Sequence, residues 1–206
     1  LFRSRVPNTD ADWFRSSGLK LDERGYVTVD GYGRTNLDGV WALGDITPGH
    51  ALAHRAFEQG ITIAEKIAGA DPKPVIDDTV PQVVFSFPEA ASVGLTLDQA
   101  KAREDVVEPK ETAYPMLSNA RMLMSGEGGS MTVVSGAFAN NPDMQVVLGV
   151  HIVSPIASDL IAEAEQLVGN RVPLADAARL IHPHPTFSET LGEALLKADG
   201  RPLHTR

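Results

Sequence analysis

The stretch from Gly69 to Pro81, GADPKPVIDDTVP, constrains this chain more than any other. It packs three prolines and three aspartates into one short run. Proline offers no N–H and pushes the residue before it toward extended backbone. Neither a helix nor a central strand can run through such a stretch, so it reads as a linker. We therefore expect two regions, residues 1–75 and residues 76–206.

The two regions differ in texture. Before the linker, YVTVD (26–30) alternates like a strand, and GVWALGD (39–45) reads as a short buried strand ending in Gly44 and Asp45. Residues 52–68 have a helical pattern that stops at Gly69. After the linker, QVVFSF, DVVEPKETAY, GSMTVVSGAF and MQVVLGVHIV read as four strands, separated by turns such as Gly128-Gly129 and Asn140-Asn141-Pro142. PEAASVGLT (88–96) reads as a structural strand-and-turn element. Three apolar stripes then predict helices: Ile156, Leu160, Ile161, Ala164, Leu167 and Val168; Leu174, Ala177, Ala178 and Ile181; Phe187, Leu191, Ala194 and Leu195. Strands first and helices last predict an α+β fold, an antiparallel sheet with helices packed on it. A partial α/β segment precedes it.

Composition narrows the function. The net charge is -9 and the basic residues are scattered, which argues against nucleic acid and anionic membrane surfaces as partners. No apolar run reaches the length of a membrane span. The chain has no cysteine, so it holds no disulfide, thiolate metal site or cysteine nucleophile. Leu1 opens the chain in place of methionine, and LFRSRVPNTD reads like the interior of a longer protein.

Two places carry chemistry. In TNLDGVWALGD, Asp45 stands at the end of an apolar strand, where a carboxylate can accept hydrogen bonds from ribose or ribityl hydroxyls. On spacing alone, a strand-end turn is the simpler explanation of Gly44-Asp45. The following helix start, around Ala51 to His54, would aim N–H groups and a partial positive charge above the sheet. Its small residues also suit plain close packing.

The second place is HPHPTFSET. Prolines put His182 and His184 on extended backbone with side chains roughly opposed, which disfavours a shared metal ion. Thr186 and Glu189 fit a capping box for the last helix. Glu189 could instead receive an imidazole N–H, fixing the tautomer of a general base. His50, His54, His151 and His204 stand at no spacing from a carboxylate that suggests a pair.

Taken together, RVPNTD, RTNLDGVWALGD, LAHRAFEQG, FSFPEAASVGLT, SNARMLM and HPHPTFSETLGEA resemble the flavin-dependent pyridine-nucleotide disulfide oxidoreductases. The likeness is to the dihydrolipoamide dehydrogenase branch, in the family's order and over nearly the whole chain. It implies a carboxyl-terminal fragment. Residues 1–75 would be the returning segment of an FAD-binding domain, and residues 76–206 an interface, or dimerisation, domain. The family's glycine-rich nucleotide loops and its cysteine pair would lie elsewhere.

The resemblance also implies roles. Asp45, after Gly44, would bind the flavin ribityl chain, and Ala51, Leu52, Ala53 and His54 would face the flavin ring. His184 would be the catalytic base and Glu189 its carboxylate partner, acting across a homodimer interface. The cofactors would be FAD and NAD. The dithiol would be carried by the lipoyl-bearing acyltransferase of a 2-oxo acid dehydrogenase complex, in the cytoplasm. A sister disulfide or quinone reductase, or an inactive dimerisation module if the chain acts alone, are the competing readings. Ser4 stands where the family usually has glycine.

Overall fold

The computed structural model describes residues 6–205, so Ser4 lies outside it. The chain divides into two compact units, with the break between Asp77 and Asp78.

In the first unit, α1 (Asp12–Ser16) and α2 (Ala53–Ile67) flank turn-rich segments. The strands expected at 26–30 and 39–45 are present only as isolated antiparallel bridges, Leu21 with Val27 and Arg34 with Trp41. The reason is local. Asp22 Oδ1 accepts from the backbone N–H groups of Arg24 and Tyr26, and Asp30 Oδ1 accepts from those of Tyr32 and Arg34. Side chains that hold turns in this way compete with a sheet ladder. Phe14, Val27 and Ala42 form a small core. Helix α2 ends where its pattern predicts, with Gly69 in the left-handed region at φ +87°. It buries Arg55, Thr62 and Ile63, while Phe57, Ile61 and Ile67 are exposed.

The second unit is a five-stranded antiparallel sheet with helices, as the strand and helix patterns predict. Its strands are β1 (Gln82–Val84), β2 (Glu89–Gly94), β3 (Val106–Pro115), β4 (Ser130–Phe138) and β5 (Asn141–Ser154), in the order β1-β2-β5-β4-β3. The strand-and-turn element supplies β2, which pairs with the centre of the sheet rather than decorating it. QVVFSF stops being a strand at Val84. Pro88 cannot extend a ladder and disturbs the backbone before it, so Phe85 and Phe87 stand exposed. Asn141 belongs to β5, and the hairpin turn is Ala139-Asn140.

The sheet serves two cores. Val146 and Leu148 of β5 join Leu95, Ala100, Val106 and Val134 on one face. Val147, Val150 and Ile152 join the helices on the other. The two-residue alternation changes phase because the register slips between Val134 and Ser135, opposite Gly149 and Val147. A bulge inserts one residue and turns the following side chains over. Gly149 fits because a β-carbon there would stand 2.2 Å from the Leu95 carbonyl oxygen.

Two short helices lie outside the predicted stripes. Helix α3 (Leu97–Ala102) starts on a capping box formed by Thr96 and Gln99. Helix α4 (Ala120–Ser125) is capped by Asn119. Helices α5 (Ala157–Gly169), α6 (Leu174–Ala177) and α7 (Glu189–Ala198) carry the predicted stripes, with two corrections: Phe187 lies ahead of α7, and Ile181 lies beyond α6. Ile181 is 98% exposed, because α6 ends at Ala177 and residues 180–183 belong to no helix. Leu191 and Leu195 of α7 are fully buried. Each contributes roughly 1.5–3 kcal/mol through the apolar surface it removes from water.

Candidate functional site

Helix α7 sets the geometry. Its residues Thr190 to Leu195 are all buried, so the helix is fixed against the sheet. Glu189 begins it, and Glu193 follows four residues later on the same face. Each carboxylate receives an imidazole. His184 Nδ1–H donates to Glu189 Oε1 at 2.8 Å, and His204 Nδ1–H donates to Glu193 Oε1 at 2.8 Å. A carboxylate only accepts, so the Nδ1–H tautomer follows, with Nε2 left on the open side.

The expected capping box at Thr186 and Glu189 is half present. The Thr186 N–H donates to Glu189 Oε2 at 2.7 Å. The Thr186 hydroxyl, however, donates to the Pro183 carbonyl at 2.7 Å, so it does not cap α7, whose N-cap position is Ser188. Glu189 thus serves the backbone with one oxygen and the imidazole with the other. Partial burial raises its pKa, but the Thr186 N–H and His184 outweigh that and hold it below the ordinary carboxylate value. It stays ionised at neutral pH. His184 is open to solvent while Glu189 is largely covered.

The loop bearing His184 is anchored twice more. Asn119 Nδ2–H donates to the Thr186 carbonyl at 3.1 Å. His182 Nε2–H donates to Glu163 Oε1 on α5 at 2.8 Å. The Glu163 carboxylate raises the His182 pKa against the opposing effect of burial. His182 lies so close to α7 that a β-carbon at Gly192 would stand 2.5 Å from its Nδ1. The two histidines of HPHP therefore go to different carboxylates. Among the described residues, no three His, Cys, Asp or Glu side chains converge to hold a metal ion.

Asn119, Leu123, His184, Glu189, Glu193 and His204 line one cleft of about 150 Å³. Sequence reasoning missed the His204–Glu193 pair. Its signal was Glu193 itself, an acid inside a buried apolar stripe, which needs a partner. His182–Glu163 was missed because its partners lie on separate elements.

In the first unit, Gly44 and Asp45 sit in a 3₁₀ turn, Gly44–Ile46. That turn is tied to α2: the Gly44 N–H donates to Gln59 Oε1 at 2.9 Å, and the Thr47 hydroxyl donates to the Gly44 carbonyl at 2.8 Å. Buried Arg55 donates to Asp77 Oδ1 and to the Pro48 carbonyl, both at 2.6 Å. Gly49, at φ +115°, leaves room for this guanidinium, since a β-carbon there would lie 2.3 Å from Arg55 Nη2. Asp45 is exposed, and the start of α2 at Leu52 and Ala53 has no side-chain cap. A larger cavity, about 310 Å³, lies between α2 and the turn near Tyr32. Neither Asp45 nor any of residues 51–54 lines it, so its size does not locate the chemistry.

The family model for the pyridine nucleotide-disulphide oxidoreductase dimerisation domain matches residues 80–195, more than half of the chain. The chain belongs to the pyridine nucleotide-disulphide oxidoreductase family. A second model of that family matches residues 5–60. The dihydrolipoyl dehydrogenase of Cupriavidus necator is 42% identical over 97% of this chain, and that of Geobacillus stearothermophilus is 39% identical over 97%. The chain spans 41% of the length of each of these curated relatives. The crystal structure of LpdA from Mycobacterium tuberculosis superposes with a TM-score of 0.82 at 31% identity, covering 94% of this chain and 41% of that one. The flavoprotein disulfide reductase RclA from Escherichia coli shares the fold, with a TM-score of 0.78 at 23% identity, covering 94% of this chain and 43% of that one. Among the described residues, no helix is long and apolar enough to cross a membrane.

Proposed function

We propose that this chain serves a dihydrolipoamide dehydrogenase, in which a dithiol is oxidised to a disulfide and two electrons pass to NAD+. The observation that carries the reading is the His184–Glu189 pair, with Nδ1 bound to a carboxylate and the ring lining a cleft. The likeness to dihydrolipoyl dehydrogenases over nearly all of the chain supports it.

In this reading a substrate thiol gives its proton to His184 Nε2, and the thiolate attacks a disulfide. The imidazolium formed is stabilised by ionised Glu189, which also keeps the ring from turning. Balance is simple: the dithiol loses two electrons and two protons, NAD+ gains both electrons and one proton as a hydride, and the second proton leaves to solvent. The chain contains no cysteine, so the attacked disulfide is not its own. A chain acting alone would then be a dimerisation module without turnover.

FAD, when bound, supplies the two-electron relay to the nicotinamide. The residues present suit it. Exposed Asp45, beside Gly44, would accept from ribityl hydroxyls, and the helix start at Ala51, Leu52, Ala53 and His54 would bring the positive end of the α2 dipole toward the ring. Residues 1–75 then belong to an FAD-binding domain, and residues 76–206 to an interface domain. The partner is a second copy of the subunit, since the dyad of one subunit serves the other. The substrate is the lipoyl group of an acyltransferase in a 2-oxo acid dehydrogenase complex, in the cytoplasm, and cell fractionation tests that placement.

The test is turnover of dihydrolipoamide by the flavin-loaded protein and its His184→Gln variant. We expect kcat to fall by about 10²–10⁴-fold with flavin absorbance retained. A flavoprotein inactive on dihydrolipoamide but active on another disulfide or a quinone moves the function to a sister enzyme.

A further inference from the structure

The mechanism leaves one member of the cleft unused. His204 lies beyond the end of α7, and it holds Glu193 at two points. Its Nδ1–H donates to Glu193 Oε1 at 2.8 Å, and its backbone N–H donates to Glu193 Oε2 at 3.2 Å. Glu193 is 8% exposed. The Tyr114 hydroxyl nearby is buried without a hydrogen-bond partner. A carboxylate so covered is costly unless paired, so the clamp has a strong reason to stay closed.

Closed, the clamp brings residues after Gly200 back over α7. There His204 lines the same cleft as His184. The two carboxylates are one helical turn apart, on a helix whose buried face cannot shift. The position of the terminal segment is therefore set relative to His184 by Glu193 and His204.

We propose that His204 is a positioning residue for the thiol substrate: its two-point clamp on Glu193 holds the terminal segment as one wall of the cleft that His184 faces. The wall fixes the width open to a thiol-bearing chain and leaves the proton transfer to His184. The proposal rests on the dithiol reading above.

The experiment compares flavin-loaded wild type, His204→Ala and His204→Asn. Steady-state kinetics with dihydrolipoamide are set beside NADH-driven reduction of a quinone, which needs no thiol in the cleft. An asparagine amide can replace Nδ1–H, so it keeps the clamp. We expect His204→Ala to raise KM for dihydrolipoamide about tenfold with kcat within about twofold, and His204→Asn to restore KM. Quinone reduction stays unchanged in both. An unchanged KM in His204→Ala overturns the proposal, and so does a parallel loss of quinone reduction. If the alanine variant does not fold, His204→Gln replaces it. Its longer amide keeps one hydrogen bond but pushes the segment outward, so an unchanged KM there is equally fatal. Wild-type turnover of dihydrolipoamide is measured first. Its absence refutes the substrate reading, whereas a missing KM effect with that turnover intact refutes the clamp.

Discussion

The two units are held together by different physics. Residues 78–205 bury apolar side chains in one large cluster, which includes Val93, Tyr114, Met131, Ile152, Ile161 and Leu191, and in a smaller one around Leu95, Val134 and Leu148 on the other face of the sheet. Residues 6–77 gather only Phe14, Val27 and Ala42 into a cluster, and α2 leaves Phe57, Ile61 and Ile67 exposed. What orders the first unit is polar: aspartate-held turns, the Gln59 contact to Gly44, and Arg55 on Asp77 and Pro48. Net hydrogen-bond contributions are small, while buried apolar area adds up. The second unit should therefore be the more stable, and the first should respond to single polar changes.

The largest expected effect lies in the second unit. Leu191→Ala should cost about 2–5 kcal/mol, through lost burial and the cavity left behind. Urea unfolding followed by hydrogen exchange should place that loss in residues 78–205 only; an equal loss in both units would mean that they unfold as one.

Arg55→Ala tests the other side. Removing a buried guanidinium that holds Asp77 and the Pro48 carbonyl should cost about 1.5–3 kcal/mol, confined to the first unit. Amide exchange in residues 44–67 reads it directly. Slow exchange in the variant, equal to that of wild type, would show that the polar ties are decorative.

A smaller effect depends on pH. Glu163 raises the His182 pKa, so the folded state favours the protonated ring. That stability is fully present below the ordinary value of 6.5 and is lost as pH rises through the raised folded value. Melting of wild type and His182→Gln at a series of pH values should therefore converge on the alkaline side. Curves that converge on the acid side would reverse the sign.

The smallest expected effect is at Phe57, 70% exposed on α2. Phe57→Ser should change stability by less than about 0.5 kcal/mol in this chain. A loss well above that would mean the exposed face of α2 is covered in solution, and the contrast between the units would narrow.

The second unit was the more legible in the sequence, for the same physical reason. Two-residue alternation and helical stripes are imprints of burial, and that unit buries most. Even so, PEAASVGLT read only as a strand-and-turn element, because Ala90, Ala91 and Ser92 carry too little apolar bulk to announce a strand paired on both sides. In the first unit, YVTVD alternates as a strand would, yet Asp22 and Asp30 spend their side chains on turns. The site was half legible. His184 stands on the loop five residues ahead of Glu189, the first residue of α7, and local geometry was enough to join them. His204 meets Glu193 only because the chain doubles back after Gly200, and His182 meets Glu163 only because the loop ahead of α7 passes α5. No spacing rule encodes either.

The burial of α7 has a consequence for how the cleft would fail on warming. Its two carboxylates are set on a helix whose residues Thr190 to Leu195 are all inside the core. The cleft has no loose hinge on that side, so it cannot relax by degrees. Heat inactivation and melting of the second unit should fall in a single transition, and a sample that still holds its fold should still hold its site.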